Sequence, residues 1–500
     1  MSRPLVPLNL PIPGALGLNK QTSDQVLPPG WATKAVNLIF NENGRLASRK
    51  GTRARGTDSA AALDFNAEPF QYIDASDGKA IIYTDSAAIF RETGTSPNIT
   101  STDISGSVPT VEWKFVNFNG TCIGHEVNTA PIIATTISGN FATASGTQFN
   151  GSDVLSAFGR LWIIDGNDLR HSDVLINDFA TGSAGSFDLA IYWPDGMDTA
   201  IALAQWNDHL VVFGRKSILV YENPDDPISS MQLKDIISGT GCIARDSVQS
   251  IGNDIVFLSN AGVKTLGRVI QEQSMPLRDI SKNVRDYING LVTTTESIKS
   301  VYSEDERFYL LSFKEAGVVM CFDMAGRLED GSFRSTEWSM HVSGMTRLVD
   351  KSVILMTYDN SVTAYDKTAL NVFSARDYDN YIDFAAQDGS GGCLYELNYE
   401  GAWNDFGEGL EHRKKIFKSM IALIDAPAGE QHTIKWATDY EDVFSTLVIT
   451  STDEPQDRAG IKLPMDRDGQ VLKIGVDSDV FGNEKTLQRF NVMAKLGRYV

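Results

Sequence analysis

Alternation of apolar and polar positions organises most of this chain. Seven times, at Phe70, Phe115, Phe158, Trp206, Ile251, Tyr302 and Leu348, an apolar residue leads through a short polar turn into a run of β-branched or aromatic residues. A repeat of about 40 to 50 residues is the signature of propeller blades, small sheets that bury their faces only against their neighbours. The spacing predicts a mainly β chain with a six- or seven-bladed β-propeller over 61–405. The widest gap, between Ile251 and Tyr302, holds Leu277, Ile280, Val284, Tyr287 and Ile288 at helical spacing, with Asn289 and Gly290 as a stop signal. A short helical insertion near 277–289 follows from that pattern.

The flanks read differently. Residues 1–60 begin with a proline-rich arm that ends at Pro29, then two β-prone runs, 35–40 and 45–50, around a turn ending in Gly44. That arrangement predicts a hairpin. After a tract rich in Asp, Gly, Tyr and Asn (376–409), the runs 415–424, 432–437, 446–450, 471–476 and 491–496 predict antiparallel strands, with Asp468 and Gly469 as a hairpin turn. Residues 406–500 are thus expected to form a C-terminal β-sandwich.

Composition narrows the function classes. The formal charge of -20, from 64 acidic and 44 basic residues, argues against a surface that grips nucleic acid by neutralising phosphates. It is compatible with a wall past which DNA slides without sticking. Four widely spaced cysteines offer neither a zinc pattern nor a redox pair, which suggests free thiols in a reducing compartment. The first 17 residues carry prolines at 4, 7, 11 and 13, incompatible with the helical core of a signal peptide, and no apolar run is long enough to span a membrane. Synthesis and folding in a cytosol are expected.

The search for chemistry is mostly negative. His171, Ser172 and Asp173 are the residue types of a catalytic triad, but contiguous residues in an extended chain point to alternating faces and cannot relay a proton to one another. A polar strand edge is the expected role. The 466–469 run Asp-Arg-Asp-Gly lacks the later ligands of a calcium loop, and Asp377, Asp379 and Asp383 can chelate a cation only if their loop folds back. The 239–242 turn lacks the lysine and hydroxyl of a phosphate loop. Trp193, Trp338 and Trp403 can stack on sugars if exposed, although blade packing is the commoner use. No catalytic residue, cofactor or metal is expected.

Segment 27–51 carries Trp31, Asn37, the Gly44-Arg45-Leu46 run and the Arg49-Lys50-Gly51 run in order. In this it resembles the N-terminal segment of the tail nozzle proteins of short-tailed bacteriophages, also called tail tubular protein B, and of the related tail hub, or packaged-DNA stabilisation, proteins. Segments 238–262 and 195–221 are similar to the glycine-containing turn and blade strands of the same family. The resemblance implies a homo-hexameric ring in the virion tail, attached below the head-to-tail adaptor. It also implies contact with tail fibres or tailspikes, and genomic DNA passing through the lumen without sequence-specific binding. The N-terminal segment and the C-terminal sandwich would combine into a platform beside the propeller.

A closed ring needs two different complementary patches on each subunit. The most basic stretch, Arg45, Arg49, Lys50, Arg53 and Arg55, together with Trp31, supplies the candidate assembly contacts. On this reading, reversing Arg49 and Lys50 to Glu blocks ring assembly and leaves the monomer folded. Two other classes compete. One is a propeller glycosidase or polysaccharide lyase acting on host surface sugars, which needs paired carboxylates at the channel mouth. The other is a protein-binding propeller adaptor, expected to show complete blades and a capping strand.

Overall fold

Strand-forming runs separated by tight polar turns dominate the chain, and they assemble into a β-propeller joined to a second body of two sheets. The structure, a computed structural model, describes residues 4–54, 68–84, 88–94, 99–109, 113–225, 227–252, 254–267, 279–358, 370–374, 381–385, 391–407, 409–451 and 461–499. Arg55, Leu277, Asp377 and Asp379 lie outside the described residues.

Among the described residues, five sheets have the four antiparallel strands of a complete blade. Four of them follow the chain in order, over 68–103, 114–143, 154–188 and 200–238. In the fifth, Val342–Arg347, Val353–Tyr358 and Leu370–Ser374 are completed at the outer edge by Arg53–Ala54, a strand from the N-terminal segment. Between the fourth and fifth lie the three-stranded sheet Gln249–Ser250, Ile255–Ser259, Gly262–Thr265 and the four strands Ile298–Ser303, Phe308–Phe313, Val318–Arg327 and Phe333–Ser339.

The first strands of all these sheets stand side by side in chain order, and Val342–Arg347 returns to pack on Glu68–Ile73. Each sheet buries apolar residues against the next, as the repeat demands. Phe118 and Ile123 meet Val154 and Ile163, Phe213 meets Phe257, and Val301 and Leu310 meet Val342 and Leu355. Ile81 and Tyr83 meet Ile354 and Met356, which closes the circle. Several polar turns share one device, in which an Asp Oδ1 accepts from both the backbone N–H and the hydroxyl of the Ser two residues on. It holds Asp74 to Ser76, Asp103 to Ser105, Asp330 to Ser332 and Asp350 to Ser352.

The inserted helix is present as Arg285–Leu291, preceded by a 3-10 turn, Lys282–Val284. Ile280, Val284 and Ile288 are buried beside Val256 and Val263. The helix runs through Asn289 and Gly290 rather than stopping there, because Ile288 and its packing anchor the last turn.

The N- and C-terminal segments interleave. One six-stranded sheet orders Ile461–Gly469, Arg413–Asp425, Thr486–Tyr499, Leu46–Ser48 and Leu38–Phe40, with Leu5–Asn9 laid along Thr486–Tyr499. Facing it across a common core of Leu8, Phe417, Val492, Tyr399, Ile434 and Val476 is a set of strands running Trp31–Val36, Tyr395–Gly401, Leu472–Val480, Gln431–Thr438 and Ser445–Thr450. A parallel bridge between Val36 and Glu337 joins this set to Phe333–Ser339, so one ten-stranded sheet runs from the propeller into the second body. Gly17 (φ +90°) lets the arm pass against the backbone of Arg334 and Ser335, where a Cβ would come within 2.9 Å of the Ser335 nitrogen.

Two expectations are corrected by this topology. Asp468 and Gly469 do not form a hairpin turn, because Ile461–Gly469 pairs with Arg413–Asp425 while Leu472–Val480 enters the other sheet. Tyr395–Gly401, within the 61–405 span assigned to the propeller, pairs instead with Trp31–Val36 and Leu472–Val480.

Candidate functional site

The basic hairpin forms as the turn chemistry demands. Leu38–Phe40 pairs with Leu46–Ser48, and Asn41 Oδ1 accepts from the N–H groups of Asn43 and Arg45 while Gly44 takes φ +68°. Its basic face is only partly a surface. Trp31 is half-buried in its strand. Arg45 is half-buried and donates to the Gln488 carbonyl at 3.2 Å, Lys50 pairs with Glu306 at 3.7 Å, and Arg53 sits on the capping strand.

Arg49 departs from expectation. It is 1% exposed and makes a two-pronged ion pair with Asp383, at 2.8 and 2.5 Å. Its Nε donates to Asn37 Oδ1 at 3.0 Å, and the guanidinium lies 4.2 Å from the Tyr395 ring centroid. Burial would lower the Arg49 pKa, but the Asp383 charge and hydrogen bonds outweigh it and raise the value. A residue so enclosed offers nothing to a neighbouring subunit, so Arg49 leaves the contact set and the Glu reversal would attack the fold. Asp383, one of the candidate cation ligands, is likewise committed to Arg49.

The channel of the propeller holds a second ionic cluster, which sequence spacing gave no hint of. Asp246 receives Lys114 at 2.7 Å, Lys299 at 2.8 Å and Arg245 at 3.0 Å, while Lys299 also meets Glu68. Burial pushes the Asp246 carboxyl up, yet Lys114 and Arg245 outweigh it and hold the group well below the usual carboxylate range. Burial, reinforced by Lys314, pushes Lys299 down from the ordinary lysine value, and the contacting carboxylates act in the opposite sense. Asp246 and Lys299 stand between two cavities of about 1330 and 320 Å³ that open along the channel, and line both. The signal existed only as isolated polar residues at blade turns and strand starts.

The remaining candidates fall to packing. The Ser172 hydroxyl donates to the Asp173 carbonyl and accepts from Leu161 N–H, while Asp173 is occupied by Val174 and Ser183. No proton relay links the three residues, and His171 and Ser172 are buried at the end of a strand paired on both sides rather than forming the expected polar edge. Trp193, Trp338 and Trp403 are all buried. Among the described residues no cluster of His, Cys, Asp and Glu has the geometry of a metal site, and no helix is long and apolar enough to cross a membrane.

Comparison with known proteins leaves the family open. No protein-family model and no curated protein matches the chain. Among solved structures, it is similar at 12% identity and TM-score 0.37 to PorZ, a surface component of the type-IX secretion system of Porphyromonas gingivalis, over 63% of this chain and 37% of that one. It is also similar to the extracellular domain of the putative one-component system BT4673 from B. thetaiotaomicron (11%, TM-score 0.28, 72% and 53% covered). A third is the Pan2 WD40 domain of Neurospora crassa (10%, TM-score 0.36, 67% and 97% covered). The chain thus spans about a third to a half of the length of the first two. None of the three is a tail protein.

Proposed function

We propose that the chain is a non-catalytic structural component of a short-tailed phage tail, a hexameric nozzle or hub below the head-to-tail adaptor that retains packaged DNA and conducts it during ejection. The observation that carries this reading is the interleaving of the two termini. Leu5–Asn9, Trp31–Val36 and Leu38–Ser48 are woven among strands from 395–499, and the body they make is continuous with the propeller through Val36 and Glu337. A body woven from both termini beside a propeller supports the platform-plus-propeller order that the resemblance of segment 27–51 implies. On this reading the propeller is counted as seven-bladed by the inner strands that stand side by side, with the three-stranded sheet as its one incomplete blade and the four strands 298–339 as the blade whose sheet runs on into the platform. Acidic side chains line the lumen of the ring so that DNA slides, and tail fibres or tailspikes dock outside it.

The test is cryo-electron microscopy of the tail that contains this chain, with sixfold averaging. Six propellers around a channel of DNA width are expected. A nozzle built from another chain, or a predominantly basic channel wall, overturns the corresponding part of the reading.

One observation favours a second reading. The strand Arg53–Ala54 caps the last sheet, the closure expected of a protein-binding propeller adaptor. Recovery of a host protein bound stoichiometrically, with no tail assembly, would select it. The glycosidase alternative draws no such support: Asp246 and Glu68, the carboxylates of the channel cluster, are taken up by lysines and do not make the free acid and base that glycoside hydrolysis needs.

A further inference from the structure

The second body presents two exposed features of opposite character. At the tip of the turn after Gln431–Thr438, the run Tyr440, Glu441, Asp442 and Val443 projects from the surface, with Val443 73% and Tyr440 43% exposed. The knob is anchored at its base, where Glu441 pairs with Arg467. Asp439 and Tyr440 both take positive φ (52° and 63°), Asp439 Oδ1 accepts from Gln470 N–H at 2.6 Å, and the Tyr440 ring rests 5.0 Å from that of Trp403. Asp enters that conformation readily, whereas for Tyr440 it is uncommon and is held here by the neighbouring contacts.

The other feature is a groove of about 590 Å³ whose walls include Leu10, Pro11, Ile12 and Ile424, with Arg45 and Arg489 at its polar side and Asp425 as its carboxylate. Ile12 is 40% exposed. The knob is apolar and acidic; the groove is apolar and, on balance, basic.

Their placement matters as much as their chemistry. Asp439 abuts Gly469, which pairs with Lys415 near the start of Arg413–Asp425, whereas Ile424 and Asp425 form the groove at the other end of that strand. At about 3.3 Å per residue the two features stand roughly 30 Å apart along one strand. Two different complementary patches at opposite ends of a rigid element are what a head-to-tail contact between identical subunits requires.

We infer that the 440–443 knob of one copy seats in the Ile12–Arg489 groove of a second copy of this chain, Val443 entering the apolar floor and Asp442 meeting Arg45 and Arg489. The inference rests on the assembly reading above for its biological setting, but the contact is a separate claim about this chain alone.

The experiment uses the full chain at micromolar concentration, read by mass photometry and sedimentation, with circular dichroism melting as the control on folding. A knob variant, Asp442→Lys with Val443→Lys, and a groove variant, Ile12→Glu with Arg489→Glu, each change exposed residues. Both are expected to melt like the parent and to lose every species above monomer. Mixed together, they are expected to form a one-to-one dimer and nothing larger, since one retains the groove and the other the knob. A parent chain that stays monomeric, variants that assemble like the parent, or a mixture that stays monomeric overturns the contact. Rings that form through these patches but are absent from a tail would instead overturn the tail reading and leave the contact standing.

Discussion

Arg49 and Asp383, 334 residues apart in sequence, form a buried two-pronged ion pair that ties the N-terminal hairpin to the segment between the propeller and the C-terminal strands. Removing one partner of such a pair strands a buried charge, at a cost of about 3–5 kcal/mol. Arg49→Ala is therefore expected to lower the urea midpoint by that equivalent, and Asp383→Ala to do the same. In a double-mutant cycle the two losses should not add. Unchanged midpoints would remove the pair from its structural role.

Asn37 is the junction beside it. Buried at 4% exposure and φ +55°, it accepts from Arg49 Nε at 3.0 Å and from Ser339 N–H at 3.1 Å, and donates to the Glu396 carbonyl at 2.8 Å. One side chain thus joins hairpin, propeller and second body. Asn37→Ala should cost about 1–3 kcal/mol for each group left unpaired, and Asn37→Gly about 1–2 kcal/mol less than Ala because glycine tolerates the left-handed backbone. Equal effects for the two variants in chemical denaturation would contradict the strain argument.

Buried histidines make stability depend on pH, His125 and His432 most strongly, with burial pushing His171 down in the same sense. Burial pushes His125 down to about 4, and burial with Lys485 nearby does the same to His432. The folded state holds both neutral while the unfolded chain takes up protons near pH 6.5, so stability is complete above that pH and falls as pH drops towards 4. The loss approaches about 3 kcal/mol for each histidine. Urea midpoints measured from pH 7.5 to 4.5 should show the decline, and His125→Leu should remove its share of the slope. A flat profile would contradict the burial of these rings.

Thiol chemistry offers a direct check of the packing. Cys122, Cys242 and Cys321 are buried, and burial raises all three thiols, Cys242 to about 12, whereas Cys393 is half-buried. Thiolate is the reactive form, so a disulfide reagent is expected to modify Cys393 first in the native protein and the other three only on unfolding. Rapid native reaction at Cys242 would contradict the close packing of Phe213 against Phe257 around it.

The lysine at the channel provides a further test. Lys299→Met should leave Asp246 with Lys114 and Arg245 but deprive Glu68 of its contact. A loss of about 3–5 kcal/mol is expected from breaking a buried pair on one side, and Glu68→Gln in the same chain should restore part of it. No loss, measured in denaturant, would show the cluster to be solvated.

The sequence by itself determined the local part of this protein. An apolar anchor, a polar turn and a β-branched run specify a hairpin wherever they occur, because side-chain alternation and turn geometry act over a few residues. The seven anchors, the hairpin whose turn ends at Gly44, the short helical stretch that buries Val284 and Ile288, and the strands after 413 other than Ile461–Gly469 were legible for that reason. Tertiary structure decided what depends on partners far away in the chain. Arg49 reads as a solvated basic residue until Asp383 and Tyr395 enclose it. The channel cluster exists only once blade packing brings Lys114, Asp246 and Lys299 together. Whether Gly469 ends a hairpin or a strand that leaves its sheet is settled by the two separate sheets that claim the strands on either side of it. Charge burial and sheet membership are properties of the assembled core, and no short window of sequence carries them.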